Sequence, residues 1–206
     1  MQPSNVRVGI TSSPVSTTLI AVNVVIFAAV TLDAPLVELL SLPPDWESVM
    51  AQPWTLLTVF FTSEAVVHIA VAVLAIGLFG PRFERLAGPV HVLAVYLLAG
   101  LAGSLALVSV AAATGFDEPS VGASAAFLGL VGALAASPRS AWWDRLPLDK
   151  AVIVVVTIQV AAPVMGIGDW FSSAAHMAGL AVGVGYGYLL RSRAVAELPD
   201  ASTSNR

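Results

Sequence analysis

Cysteine is absent from the 206-residue chain. That removes thiol nucleophiles, disulfides and thiolate-held zinc or iron–sulfur centres, and leaves Ser, His and carboxylate chemistry. Charge is also scarce: Asp, Glu, Lys and Arg make up 11% of the residues, against roughly a quarter in a soluble domain. Lysine occurs once, at Lys150. So few charges cannot solvate the surface of a compact water-soluble fold, but they suffice for the short loops of a polytopic membrane protein. The same scarcity excludes a disordered chain and a nucleic-acid binder. What fills the space is apolar: 57% of residues are hydrophobic and the mean hydropathy is +0.87.

A helix crossing the hydrocarbon core needs about 20 largely apolar residues. Six runs approach that length: Val15–Leu32, Trp54–Gly80, Pro89–Ala113, Val121–Ala136, Ala151–Met165 and Trp170–Leu190. The segments between them hold nearly every charge and most of the prolines. The reading is an all-α membrane protein with a membrane domain over 15–190, a tail over 1–14 and a second tail over 191–206.

Positive charges in short loops stay on the cytoplasmic side. With the N-terminus inside, Arg7, Arg82, Arg85, Arg139, Arg145, Lys150, Arg191, Arg193 and Arg206 all become cytoplasmic, which is every Lys and Arg in the chain. The outer side receives Asp33, Glu38, Asp45, Glu47, Glu64, Asp117, Glu118 and Asp169, with no basic residue among them. The expectation is six transmembrane helices with both termini cytoplasmic.

The outer connection Asp33–Pro53 mixes apolar residues with acids and the pair Pro43-Pro44. Its spacing suggests short amphipathic helices in the interface anchored by Trp46 and Trp54; the alternative is a partly ordered tether. The fourth run, of about 16 residues, would span roughly 24 Å and fall short of a core near 30 Å. The connection before it must then dip into the protein, which is allowed only where that backbone is buried or lines a cavity. The fourth and sixth runs carry small residues, among them Gly122, Gly129 and Gly132 on one and Gly179, Gly183 and Gly187 on the other. Such residues let helices approach closely.

Polar groups inside membrane helices are costly and mark candidate functional sites. Ser124 lies near the outer end of the fourth run, His176 near that of the sixth and His68 in the outer half of the second. These three runs are parallel in the expected topology. Close-packed neighbours at similar depth meet the basic requirement of nucleophilic catalysis, a base within reach of a hydroxyl. The alternative for Ser124 is a helix-packing hydroxyl. His91, at the cytoplasmic end of the third run, needs no role beyond the interface. Other intramembrane chemistries fit poorly. There is no His-Glu-x-x-His, and Gly166-Ile-Gly168-Asp169 lacks the second intramembrane carboxylate that an aspartyl protease needs. A transporter would carry charge at mid-bilayer.

Three stretches resemble the rhomboid family of intramembrane serine proteases: Pro53-Trp54-Thr55-Leu56-Leu57-Thr58 leading to His68 and the Gly80–Gly88 segment; Gly122-Ala123-Ser124-Ala125-Ala126-Phe127-Leu128-Gly129; and Ala175-His176-Met177-Ala178-Gly179 with Gly183. The resemblance covers about Pro53 to Leu190 and implies a six-helix rhomboid-like bundle in a cell membrane, in contact with lipid and acting on single-span membrane proteins. It implies Ser124 as nucleophile and His176 as general base in a dyad without a third acid. His68 and the Ser124 backbone N–H would stabilise the oxyanion. Gly122 would permit the tight turn into the fourth helix, and Gly179 and Gly183 would pack near the site. Glu84 and Arg85, in the second-to-third loop, would pin the cytoplasmic end of the second helix. No cofactor or metal is implied, and no nucleic-acid partner.

The chain departs from the family pattern at Ala72, where an Asn donor to the oxyanion is common, and at Ala125 and Ala178, where glycines are common. At Leu128 an aromatic residue usually supports the histidine. The competing expectation is therefore a weak or inactive rhomboid-like protein that binds membrane helices; a small-molecule carrier ranks third. The segment from Pro163 to Ser173 reads either as a lid, with Gly166 and Gly168 as hinges and Trp170 and Phe171 as plugs, or as an ordinary turn.

Overall fold

A computed structural model describes residues 13–137, 148–166 and 169–196. The expected tails therefore lie largely outside the described residues, as does the connection carrying Arg139 and Arg145. The described residues are mostly helical: α1 (Pro14–Leu32), α2 (Pro35–Leu40), α3 (Trp46–Ala51), α4 (Thr55–Thr58), α5 (Val66–Ala87), α6 (Pro89–Thr114), α7 (Ser124–Ala136), α8 (Leu148–Val164) and α9 (Trp170–Ala196). Three of these, α1, α5 and α6, are long and apolar enough to cross a membrane, and α7 and most of α8 form shorter apolar helices. Large apolar side chains exposed on α1, α5 and α8, such as Val25, Leu74 and Ile153, suit a surface facing lipid rather than water.

Two boundaries differ from those read in the sequence. The run Trp54–Gly80 is not one helix: α4 ends at Thr58, Val59–Phe61 form a 3-10 turn, and α5 begins only at Val66. Thr and Ser favour local bonds over helix continuation, and Thr62 Oγ1 donates to the Thr58 carbonyl at 2.8 Å. The carbonyls of this broken segment are met from α6. Ser104 Oγ donates to Leu56 O at 2.9 Å, and Tyr96 OH donates to Phe60 O at 3.0 Å. His68 consequently sits in the first turn of α5.

The fourth run is also shorter than expected, because α7 starts at Ser124 and not at Val121. The connection before it is held inside the protein by backbone pairing. Leu42 and Ser120 exchange two N–H···O bonds of 2.9 Å, and Gly122 N–H donates to Val59 O at 3.1 Å. Gly122 takes a φ of 149°, a conformation that other residues rarely adopt. The connection over residues 33–53 forms the two short helices α2 and α3, and Trp54 Nε1 donates to Leu39 O at 3.0 Å. Asp45 caps α3 by accepting from Ser48 N–H and Oγ, each at 2.8 Å. Those bonds hold its carboxyl below the usual range.

Arg82 and Arg85 lie within α5, and the link to α6 is Gly88 alone, followed by Pro89. Glu84 does more than end α5. Its buried carboxylate accepts from Val15 N–H at 3.0 Å, Ser16 N–H at 2.9 Å and Ser16 Oγ at 2.6 Å, so it caps the start of α1. Gly80 makes room for this approach: a methyl there would come within 2.8 Å of Ser16 Oγ. Glu84→Ala leaves two buried donors on Ser16 and a half-buried one on Val15 without an acceptor. We expect it to lower stability in detergent by about 2–3 kcal/mol, with hydrogen exchange faster at the α1 N-terminus than in α7. Unchanged exchange there would refute the cap.

Candidate active site

The approach of α7 to α9 builds the site. Methyl groups placed on Gly179, Gly183 and Gly187 would fall on the carbonyls of Ala125, Gly129 and Ala133 respectively. The constant offset between these partners means that the helices run parallel and in register. Glycine is required here because the neighbouring atoms are backbone and cannot yield. The α6 helix closes the third side, with Ala99 against Gly129 and Gly103 against Ala125.

That register brings the first residue of α7 beside the second turn of α9, and His176 Nε2 lies 2.6 Å from Ser124 Oγ. This is ordinary hydrogen-bond range for a hydroxyl donating to an imidazole nitrogen. As the helix start, Ser124 has a backbone N–H with no intrahelical acceptor. Two cavities meet at the pair. One, of about 240 Å³, is lined by residues including Phe60, Ser104, Ser120 and Gly122. The other, of about 220 Å³, is lined by His68, Val71, Phe127 and Ser172 among others. Either volume admits several waters.

His68 is exposed and shares the second cavity with Ser124 and His176. Ala72, one turn further along α5, is buried and lines neither cavity. The Ala125 methyl, an addition relative to the family pattern, occupies the notch left by Gly103, where a second methyl would collide with it. His91 is bound rather than merely interfacial: its Nδ1 lies 2.7 Å from Tyr186 OH. Asp169 Oδ1 accepts from Ser172 N–H at 2.6 Å and so caps the start of α9, while the Phe171 ring stacks on Phe116 at a centroid distance of 4.1 Å. Gly168 lies outside the described residues.

Gln159 and Ser172, neither of which stands out by motif or spacing, also border the pair. Ser172 lines both cavities. The Gln159 side chain, from α8, sets its amide nitrogen Nε2 against His176 Nδ1. The signal for Gln159 was present: it is the one glutamine in the fifth apolar run, and polar residues in such helices are rarely idle.

A hydroxyl within hydrogen-bond range of an imidazole, beside cavities between apolar helices, marks a candidate site in a mostly helical chain with membrane-type helices. The chain belongs to the rhomboid family: residues 50–193 match the Rhomboid domain. It is 28% identical over 151 residues to "RHOMBOID-like protein 6, mitochondrial" of Arabidopsis thaliana, covering 71% of this chain and 47% of that protein. It is 30% identical over 143 residues to "RHOMBOID-like protein 7" of the same plant, covering 68% and 43%. With "Rhomboid protease GluP" of Bacillus subtilis (strain 168) it shares 31% identity over 130 residues, covering 62% and 24%. The match thus spans less than half the length of each of these relatives.

The nesting of Ala125 in Gly103 has a measurable consequence. Gly103→Ala alone should destabilise by about 1–3 kcal/mol through overpacking, and Gly103→Ala with Ala125→Gly should recover most of the loss. Additive losses in unfolding midpoints would contradict this packing.

Proposed function

We propose that this chain is an intramembrane serine endopeptidase that cleaves single-span membrane proteins near the outer end of their helices, using Ser124 and His176. The observation that carries the reading is the 2.6 Å approach of Ser124 Oγ to His176 Nε2 where the two cavities meet. Six membrane spans with both termini cytoplasmic, in a cell membrane, complete the reading; the distribution of basic residues and the exposed apolar helix faces support it.

In this mechanism His176 Nε2 takes the Ser124 proton as Oγ attacks the scissile carbonyl. The developing oxyanion receives the Ser124 backbone N–H, at the positive end of α7, and a donor from His68. The protonated imidazole then gives its proton to the leaving amine, and water held in the cavity hydrolyses the acyl ester by the reverse sequence. Val71 and Phe127 give the second cavity apolar walls against which a substrate side chain can pack.

The buried Ala72 favours a second reading, a rhomboid-like protein that binds membrane helices with little or no cleavage. Losing one side-chain oxyanion donor costs roughly 3 kcal/mol of barrier stabilisation, which slows hydrolysis without ending it while the other donors act.

The test uses the full chain in lipid nanodiscs with a fluorophosphonate probe and a generic single-span substrate. Labelling and cleavage are expected, and Ser124→Ala should abolish both, a loss of at least about 10⁴-fold in rate. Neither activity in the parent chain would establish the binding reading instead. His68→Ala should lower kcat by about 10²–10³-fold with little change in KM; an unchanged kcat would remove His68 from the oxyanion role.

A further inference from the structure

A Ser–His dyad has an orientation problem. The imidazole accepts the serine proton only if Nε2 is unprotonated and aimed at Oγ, so Nδ1 must carry the ring hydrogen and should find an acceptor. The family's usual support, an aromatic ring four residues after the serine, is here Leu128, which offers no flat face or polar atom. The atom that meets His176 Nδ1 comes from another helix. It is the side-chain amide nitrogen Nε2 of Gln159, half-buried on α8 among apolar and exposed neighbours such as Ile158 and Val160.

We propose that Gln159 is a positioning residue of this site, its side-chain amide holding the His176 imidazole through Nδ1 in the tautomer and orientation that present Nε2 to Ser124. An amide N–H facing Nδ1 would donate to the bare nitrogen and leave the ring hydrogen on Nε2; a half-turn about the last side-chain bond exchanges nitrogen and oxygen in the same place, and the positioning role uses the orientation with Oε1 toward the ring. With Nδ1 protonated, Nδ1–H donates to Gln159 Oε1. When the ring is doubly protonated after serine attack, the same oxygen keeps the bond, so the imidazole does not swing while its Nε2 proton is passed to the leaving amine.

Gln159 also lies on a different helix from either reacting residue, which gives α8 a direct link to the site. The role assigned to Gln159 rests on the proteolytic reading, and its test includes a measurement independent of turnover.

Histidine-selective ¹⁵N labelling in nanodiscs reads the tautomer directly, with the His176 signals assigned by their loss in His176→Ala. The parent should show one dominant tautomer, hydrogen on Nδ1. Gln159→Met, similar in length but without the amide, should show a mixture of the two tautomers. Gln159→Glu, which retains an acceptor oxygen, should restore the Nδ1–H form.

In turnover, Gln159→Met should lower kcat by about tenfold with KM within about twofold, and Gln159→Glu should recover part of the loss. An unfolding midpoint close to the parent's in Gln159→Met separates this from misfolding. If the tautomer ratio is the same in the parent and in Gln159→Met, the proposal is overturned whatever the activity. If the parent neither cleaves nor labels while the tautomer still depends on Gln159, the proteolytic reading fails and the positioning contact stands.

Discussion

The structure depends on how closely α7 and α9 approach. Packed helices lie with axes about 8–10 Å apart, the distance being set by the side chains at the contact. Here Gly179, Gly183 and Gly187 bring the backbone of α9 against the carbonyls of α7. Apolar lipid supplies no hydrophobic drive for this contact, so close van der Waals packing must sustain it. The same stripe that stabilises the pair fixes its register, and the register sets Ser124 opposite His176. Packing and site geometry are therefore one constraint, and α6 shares it through Gly103 and Ala99.

A second constraint follows from the first. A helix that begins at the depth of Ser124 must be preceded by backbone that is not helical, and such backbone needs hydrogen-bond partners supplied by protein or water. Leu42 supplies them to Ser120, Val59 supplies one to Gly122, and Ser104 and Tyr96 serve the carbonyls of the broken segment before α5. Leu42, Val59, Phe60, Ser104, Ser120 and Gly122 all line the larger cavity. The cavity thus lies among the residues that satisfy the irregular backbone, which explains how an apolar bundle keeps a polar hollow beside a hydroxyl.

Much of this was legible in the letters. Small residues at every fourth position gave the α7–α9 contact, and the shortness of the fourth run gave the buried connection before it. The break between Thr58 and Val66 was not legible, because in a membrane chain apolarity is nearly continuous and periodicity no longer separates helix from buried coil. The role of Glu84 was also hidden: a carboxylate near a helix end looks like a cap for its own helix, whereas this one reaches the first turn of α1. Ser124 and His176 were found through the resemblance and the expectation of equal depth. Gln159 belongs to a third helix whose rotation about its axis no spacing rule fixed.

The chemistry of that third residue suits its surroundings. In water-exposed serine proteases an aspartate holds the histidine, and its charge stabilises the imidazolium. A carboxylate between membrane helices carries a desolvation penalty of several kcal/mol, and where the penalty is not offset the group takes up a proton and loses its charge. A carboxamide avoids that difficulty. It accepts the same Nδ1–H bond without any charge to desolvate, and it remains an acceptor at every pH. What it gives up is electrostatic stabilisation of the protonated ring, so in the proposed mechanism the proton would pass to the leaving group from a less strongly held imidazolium. In a low-dielectric site, geometry is thereby retained at little electrostatic expense, which is consistent with a bundle whose described interior holds one buried carboxylate, Glu84, at the far end of α5 from His68.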